Sequence, residues 1–201
     1  RNADGRGSVL PPVRVSKIVD ESSVIRSFYL DPTDDAGLTA NLAGQHLPIR
    51  VQPNADASPV IRTYTLSSAA SDGSYRISVK REGLVSSYLH DNIAVGDFIE
   101  SRPPAGSFTI DAAEQRPAVL MAAGVGITPM LAMLRHVVYE GLRTRRVRPT
   151  IVFYAARNKA ERAFDAELHD LAEQAGGAVR VIRVLKDGDG AARGTDYEAL
   201  G

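Results

Sequence analysis

Strict alternation of apolar and polar side chains runs through Tyr75-Arg76-Ile77-Ser78-Val79-Lys80. It predicts a strand with Tyr75, Ile77 and Val79 inward and Arg76, Ser78 and Lys80 outward. β-rich runs recur at Val13–Val19, Ile25–Leu30, His46–Val51, Arg62–Ser68 and Phe98–Glu100. Turn-forming clusters separate them, at Asp20–Ser23, Asp31–Gly44, Gln52–Pro59, Gly96-Asp97 and Pro103–Gly106. Leu84 with Tyr88 and Val85 with Leu89 repeat instead at helical spacing, so a short helix over Leu84–His90 is expected just after Gly83. Short strands joined by turns at this spacing predict an antiparallel barrel or sandwich, because parallel pairing needs longer crossovers.

Beyond a seam at Asp111–Pro117 the pattern changes. Ala118–Ala122 reads as a wholly apolar strand, followed by Gly124-Val125-Gly126-Ile127-Thr128-Pro129 and a helix from Met130 to Glu140. Thr128 is the expected N-cap, Pro129 the first helical residue and Gly141 the stop, with Met130, Leu134, Val137 and Val138 on the apolar face. Thr150–Ala155 and Val179–Leu185 read as buried strands. Between them Glu161–Ala175 reads as a helix with Phe164, Leu168 and Leu171 inward. Strand, helix, strand, helix, strand implies a parallel α/β layer. The expected architecture is therefore an antiparallel β-barrel followed by a partial parallel α/β domain. The divisions are a linker at 1–8, a barrel domain at 9–112 and an α/β domain at 113–201.

Composition narrows the function classes. Hydrophobic residues are 44% and charged residues 24% of 201, which suits folded domains and not a disordered chain. Lys+Arg and Asp+Glu are equal at 24 each, so no global field attracts nucleic acid or an anionic membrane, and neither is an expected partner. With no cysteine the chain itself supplies no disulfide, thiolate-held zinc or iron–sulfur cluster, and no metal site is expected. No run of about 20 apolar residues is present, so no membrane-spanning helix is expected. The polar, Gly-containing Arg1–Ser8 has the character of a linker within a longer polypeptide, and reducing, cytoplasmic surroundings are expected.

Three stretches carry candidate chemistry. Arg62-Thr63-Tyr64-Thr65-Leu66-Ser67-Ser68 combines a guanidinium, an aromatic ring and clustered hydroxyls on one ribbon, suiting a ligand with both a phosphate and a flat heterocycle. It also fits an ordinary half-buried strand with an exposed Arg. The helix opening after Gly83 has free backbone N–H groups that, with Ser86, suit a phosphate; a self-capped turn fits equally. Gly124 and Gly126 fall beyond the carboxyl end of a parallel strand, where a pyrophosphate can approach the backbone, though a tight turn without ligand remains open. His90, Asp91, His136 and His169 read as surface residues. No triad or carboxylate pair is recognisable.

In their order and spacing these motifs resemble the ferredoxin–NADP reductase superfamily from about Val13 onward. The likeness is greatest to the reductase portions of flavohaemoglobins and of bacterial multidomain flavin–iron–sulfur reductases. The resemblance implies FAD and NAD(P)H as cofactors. Arg62 would bind the flavin phosphate, Tyr64 would pack on the isoalloxazine, and Thr63, Thr65 and Ser67 would complete the flavin set. Ser67 would stand near the reacting nitrogen as the catalytic residue. Val79 and Lys80 would line the same site, and Gly83, Leu84, Val85 and Ser86 would hold the FAD pyrophosphate. His46, after Gly44-Gln45, would neighbour the flavin, and is equally readable as a structural histidine. Gly124, Gly126, Thr128 and Pro129 match the nicotinamide-dinucleotide loop. Arg157, in Ala155-Ala156-Arg157-Asn158, can reach a ribose or phosphate or stand as a solvated cation. Arg157, Lys159 and Arg162 leave NADH and NADPH both open.

The expected function is an FAD-dependent NAD(P)H reductase module passing electrons to a one-electron acceptor, haem or [2Fe–2S], on another domain or protein. The alternatives are a non-catalytic flavin-binding or docking module and an FMN-specific reductase. Family members usually continue to a strand carrying Cys-Gly-Pro, which this sequence lacks after Lys186-Asp187-Gly188-Asp189-Gly190, so the α/β domain is expected to be C-terminally incomplete.

Overall fold

The computed structural model describes residues 12–54, 56, 58–187 and 196–198; the expected linker at 1–8 and Gly188–Gly190 lie outside them. β1 (Pro12–Asp20), β2 (Ile25–Pro32), β3 (His46–Val51), β4 (Val60–Thr65), β5 (Tyr75–Lys80) and β6 (Phe98–Ser101) form one sheet in the order β4-β3-β6-β1-β2-β5. Every pairing in it is antiparallel. A bridge between Leu66 and Ile77 joins the two outer strands, so the sheet closes into a barrel and hides the edges an open sheet would expose. Val15, Phe28, Leu30, Leu47, Ile49 and Ile77 fill its interior. Helix α1 (Leu84–Asn92) adds Val85 and Leu89 to the same core.

A second sheet is parallel: β7 (Ala118–Ala123), β8 (Thr150–Ala156), β9 (Val179–Leu185) and β10 (Asp196–Glu198), in the order β10-β9-β8-β7. Helices α2 (Ile127–Thr144) and α3 (Asp165–Gln174) cover one face, burying Leu120, Val152, Tyr154 and Val179 against Leu131, Leu134, Leu168 and Leu171. On the opposite face Val119 and Met121 are exposed. The Tyr154 hydroxyl accepts the Ala163 N–H at 3.1 Å inside this core.

The helix ends differ from expectation. α2 begins at Ile127 with Gly126 in the N-cap position, so Thr128 and Pro129 are its second and third residues. Proline is tolerated there because first-turn N–H groups have no helical acceptor. Gly141 does not end the helix: it is buried within it, and a Cβ there would lie 2.5 Å from Val147 Cα. The turn is made instead by Arg145 at φ 60°. α3 starts at Asp165, later than the expected Glu161, after Phe164 at φ 62°, an uncommon conformation for an aromatic residue.

The two sheets are packed together. Ile25 and Ala43, from the barrel half of the chain, belong to the hydrophobic cluster of the parallel sheet. The Ser23 N–H donates to Ala160 O at 2.9 Å. Gly44, at φ +103°, lies so close to Phe108 that a Cβ would sit 2.0 Å from its carbonyl oxygen. Only glycine fits that approach.

Candidate active site

The ribbon singled out by its arginine and hydroxyls is partly open and partly sealed. Antiparallel pairing places Arg62 opposite Ile49, Tyr64 opposite Leu47 and Thr65 opposite His46. Arg62 and Thr63 are exposed, while Thr65 and His46 are half-buried. The Arg62 guanidinium makes one hydrogen bond, 2.9 Å from Nη1 to the carbonyl of Ile61, and no ion pair among the described residues. It is free to take a phosphate. Tyr64 is half-buried against the barrel core, and that burial raises its phenol pKa, the Arg62 charge acting the other way.

Two expectations about this site fail. Ser67 has no exposed surface: its hydroxyl lies 2.7 Å from Ser78 Oγ, receives Arg76 Nε at 3.0 Å and donates to Arg76 O at 3.1 Å. A hydroxyl so placed does not open onto a cleft; the strand ends at Thr65, and the chain turns inward at Leu66 to close the barrel. Val79 is likewise in the barrel core at 1% exposure and does not line a surface site. Lys80 is half-buried and ion-paired with Glu82. Thr63, exposed, and Thr65, half-buried, are the ribbon hydroxyls left accessible.

At the start of α1, Gly83 is exposed with nothing within 4 Å of a notional Cβ, and Leu84 is exposed beside it. Ser86 is committed to the turn itself. It accepts the N–H groups of Glu82 and Gly83 at 3.0 and 2.8 Å and donates to Gly83 O at 3.0 Å. The hydroxyl expected to hold a phosphate therefore shapes the loop, and the main-chain amides of the first turn, including Leu84 and Val85, are left without helical acceptors.

Across the domain junction, Gly124 at φ +51° and Gly126 form a 3₁₀ turn between β7 and α2, with open space where their Cβ atoms would be. This turn lies beside β5, the strand joined to the Arg62–Thr65 ribbon through Leu66 and Ile77. Thr128 is buried and donates to Val125 O at 3.1 Å, holding the turn, and Pro129 is half-buried behind it. Arg157 is exposed beyond β8, 3.6 Å from Glu161. Arg162 is buried and paired with Asp165 at 2.5 Å, so it belongs to the fold. His90 Nε2 donates to Val79 O, 2.8 Å away, and its ring packs edge-on to Phe28; it is structural.

The alternation rule missed the charged residues at the junction. Arg76 was expected to point to solvent, yet it is 4% exposed, because the second face of β5 is covered by the α/β domain. Its guanidinium meets Glu167 of α3 at 2.8 and 3.1 Å. Arg135 of α2 also pairs with Glu167 and holds Asp72 of the barrel at 2.8 and 3.1 Å. Burial works against the Arg76 charge and against ionised Glu167. Their mutual hydrogen bonds and charges outweigh it, raising the pKa of Arg76 and lowering that of Glu167. Nothing in the local sequence distinguishes such an Arg from a solvated one.

The donor set fits a dinucleotide flavin facing a nicotinamide dinucleotide: β4 carries an exposed guanidinium and an aromatic ring, a glycine-led helix start follows β5, and an open glycine turn lies beside β5. Comparisons with known proteins agree. An oxidoreductase FAD-binding domain model matches residues 12–110, and an oxidoreductase NAD-binding domain model matches residues 120–197. A flavohemoprotein of Bacillus subtilis is 39% identical over 88% of this chain and 43% of the relative. One of Deinococcus radiodurans is 40% identical over 94% and 46%. The chain thus spans about half the length of these curated relatives. Among solved structures, the flavohem-like FAD/NAD-binding domain of nitric oxide dioxygenase from Vibrio cholerae superimposes with a TM-score of 0.84. It is 32% identical, over 95% of this chain and 79% of that one. Flavohemoglobin from Malassezia yamatoensis, with bound FAD and heme, shares the fold at a TM-score of 0.80. The chain belongs to the ferredoxin–NADP reductase superfamily, as an FAD-dependent NAD(P)H oxidoreductase module resembling the reductase portion of flavohaemoglobins.

Proposed function

We propose that this module takes electrons from NAD(P)H through FAD and delivers them to a haem on a partner globin domain, with a [2Fe–2S] centre as the other acceptor class. The haem reading rests on its similarity to flavohemoproteins, whose full length is about twice the matched region. The observation that carries the reductase reading is that β5 both closes the barrel against the Arg62–Thr65 ribbon, through Leu66 and Ile77, and lies beside the Gly124–Gly126 turn. We assign the barrel to residues 9–112, the nucleotide domain to 113–201 and a cytoplasmic setting to the cysteine-free chain.

A flavin held here by Arg62, Tyr64, Thr65 and the first-turn amides of α1 would supply the hydride-accepting and one-electron-donating chemistry. The chain's own residues bind and orient. Arg62 neutralises a flavin phosphate with its planar fork. Tyr64 offers its ring as a wall for the isoalloxazine, and the accessible Thr65 hydroxyl replaces Ser67 as the group hydrogen-bonded to the flavin near the reacting position. First-turn amides of α1 receive the pyrophosphate, and Gly124 and Gly126 let the nicotinamide dinucleotide reach the N-terminus of α2. His46 remains a neighbour of the flavin ribbon through its pairing with Thr65. Arg157, exposed beyond β8, is the residue we assign to a ribose or a 2′-phosphate.

The test is to load the purified chain with flavin, identify the retained cofactor, and add NADH and NADPH in turn without oxygen. Retention of FAD and bleaching by one nicotinamide is expected. Retention of FMN in preference selects the FMN-specific alternative, and FAD retained without bleaching selects a docking module.

A further inference from the structure

A guanidinium carries five N–H donors in one rigid plane. On Arg76 all five have acceptors. Nε donates to Ser67 Oγ at 3.0 Å, Nη1 to Glu167 Oε2 at 2.8 Å and to the Tyr29 hydroxyl at 3.2 Å. Nη2 donates to the Ser67 carbonyl at 2.7 Å and to Glu167 Oε1 at 3.1 Å. The planar group also lies over the rings of Tyr29 and Phe164, 5.6 and 5.3 Å from their centroids. One side of the fork therefore grips the main chain at the inner end of the flavin ribbon. The other grips α3 of the nucleotide domain.

The far carboxylate is itself held. Glu167 receives Arg135 from α2, and Arg135 returns to the barrel through Asp72, so the domain boundary is crossed twice by two cations and two anions. Phe164, against which Arg76 stacks, is the residue at φ 62° just before α3. A conformation this uncommon for a bulky side chain persists only where the surroundings fix it. A polar cavity of about 330 Å³ lined by Tyr29, Ser68, Asp72, Arg76, Arg135 and Glu167 adjoins the cluster.

We propose that Arg76 is a positioning residue for the nicotinamide-to-flavin step. It ties the end of the ribbon carrying Tyr64 and Thr65 to α3, so one planar group sets the spacing between the flavin ribbon and the Gly124–Gly126 turn. The role rests on the reductase reading above, and it is separate from cofactor binding because Arg76 is turned away from solvent. A lysine cannot replace it: three donors on a flexible stem do not serve Ser67 and Glu167 in one plane.

The sequence contains no cysteine, so Arg14→Cys on β1 and Asp170→Cys on α3, both exposed positions, accept spin labels without background. Distances between the labels are measured in the chain with and without FAD, in backgrounds carrying Arg76, Arg76→Lys or Glu167→Gln. Flavin Kd and the anaerobic rate of flavin reduction at saturating nicotinamide are measured beside them. The parent gives one narrow distance distribution. Both substitutions broaden it and slow reduction roughly tenfold to a hundredfold, the scale expected for a misplacement of about 1 Å, while the FAD Kd is unchanged. Unchanged distributions in both backgrounds overturn the proposal, as does a rate that falls only in step with FAD loss. Glu167→Gln, which alters only the nucleotide domain, keeps the test valid if Arg76→Lys weakens the barrel. A parent that binds FAD and is bleached by neither nicotinamide overturns the reductase reading, whereas the distances judge the tie itself.

Discussion

Arg62→Ala removes a guanidinium that the fold does not need. The side chain is exposed, makes no ion pair among the described residues, and donates only to the carbonyl of its neighbour Ile61. Its removal leaves the barrel core of Leu47, Ile49 and Leu66 untouched. Exposed substitutions of this kind change stability by no more than about 0.5 kcal/mol. Its expected contact with FAD is a charge-assisted hydrogen bond to phosphate, worth about 1.5–3 kcal/mol. That corresponds to a Kd raised roughly 10- to 150-fold. Titrating apoprotein into FAD and following flavin fluorescence gives the Kd, and a thermal melt of the apoprotein gives the stability. Arg62→Lys, which keeps the charge and loses the fork, should fall between the two. An unchanged Kd for Arg62→Ala refutes the phosphate assignment. A melt lowered in parallel with affinity refutes the claim that the residue serves the ligand alone.

Thr65→Val should retain FAD and slow its reduction by NAD(P)H about 10-fold or more, the scale of a lost hydrogen bond to the reacting group, as measured by stopped flow. Ser67→Ala, which removes a buried hydroxyl bonded to Ser78 and Arg76, should instead lower stability by about 1–3 kcal/mol in urea unfolding. Tyr154→Phe leaves the Ala163 N–H without its acceptor in the core and should cost about 1–3 kcal/mol by the same measurement. Glu167, whose folded pKa is lowered from 4.5, binds fewer protons folded than unfolded; its stabilisation is complete above pH 4.5 and is lost as pH falls through the folded pKa. Glu21, raised by burial, works oppositely, losing stability as pH rises above 4.5, and is common to both proteins compared. Glu167→Gln should therefore be less stable than the parent by about 3 kcal/mol at pH 7, with the gap closing in acid. A gap independent of pH contradicts the ion-pair account.

Periodicity made most of the architecture legible. Strict alternation marked β5, β-rich and apolar runs marked β3 and β9, all three with the bounds found in the structure, and helical spacing marked α1. These signals are local: each asks only which residues share a face. The glycine turn at Gly124–Gly126 was equally readable, because a backbone approach requires residues without side chains. Cap positions were not. Gly141 has the residue type of a helix stop, but its place is decided by the close passage of Val147, a contact made only once the chain has turned back.

The site divides along the same line. The sequence alone determined that a guanidinium, a ring and hydroxyls occupy one ribbon and that two glycines precede a helix, since these are properties of neighbouring residues. Only the tertiary structure decided which of those hydroxyls faces outward. Barrel closure at Leu66 and Ile77 carries Ser67 inside and leaves Thr63 and Thr65 accessible. It also decided the fate of Arg76. Alternation assigns it to a wet face, but packing of the second domain turns that face into an interior, where a charge persists only beside a partner such as Glu167, 91 positions away in the chain.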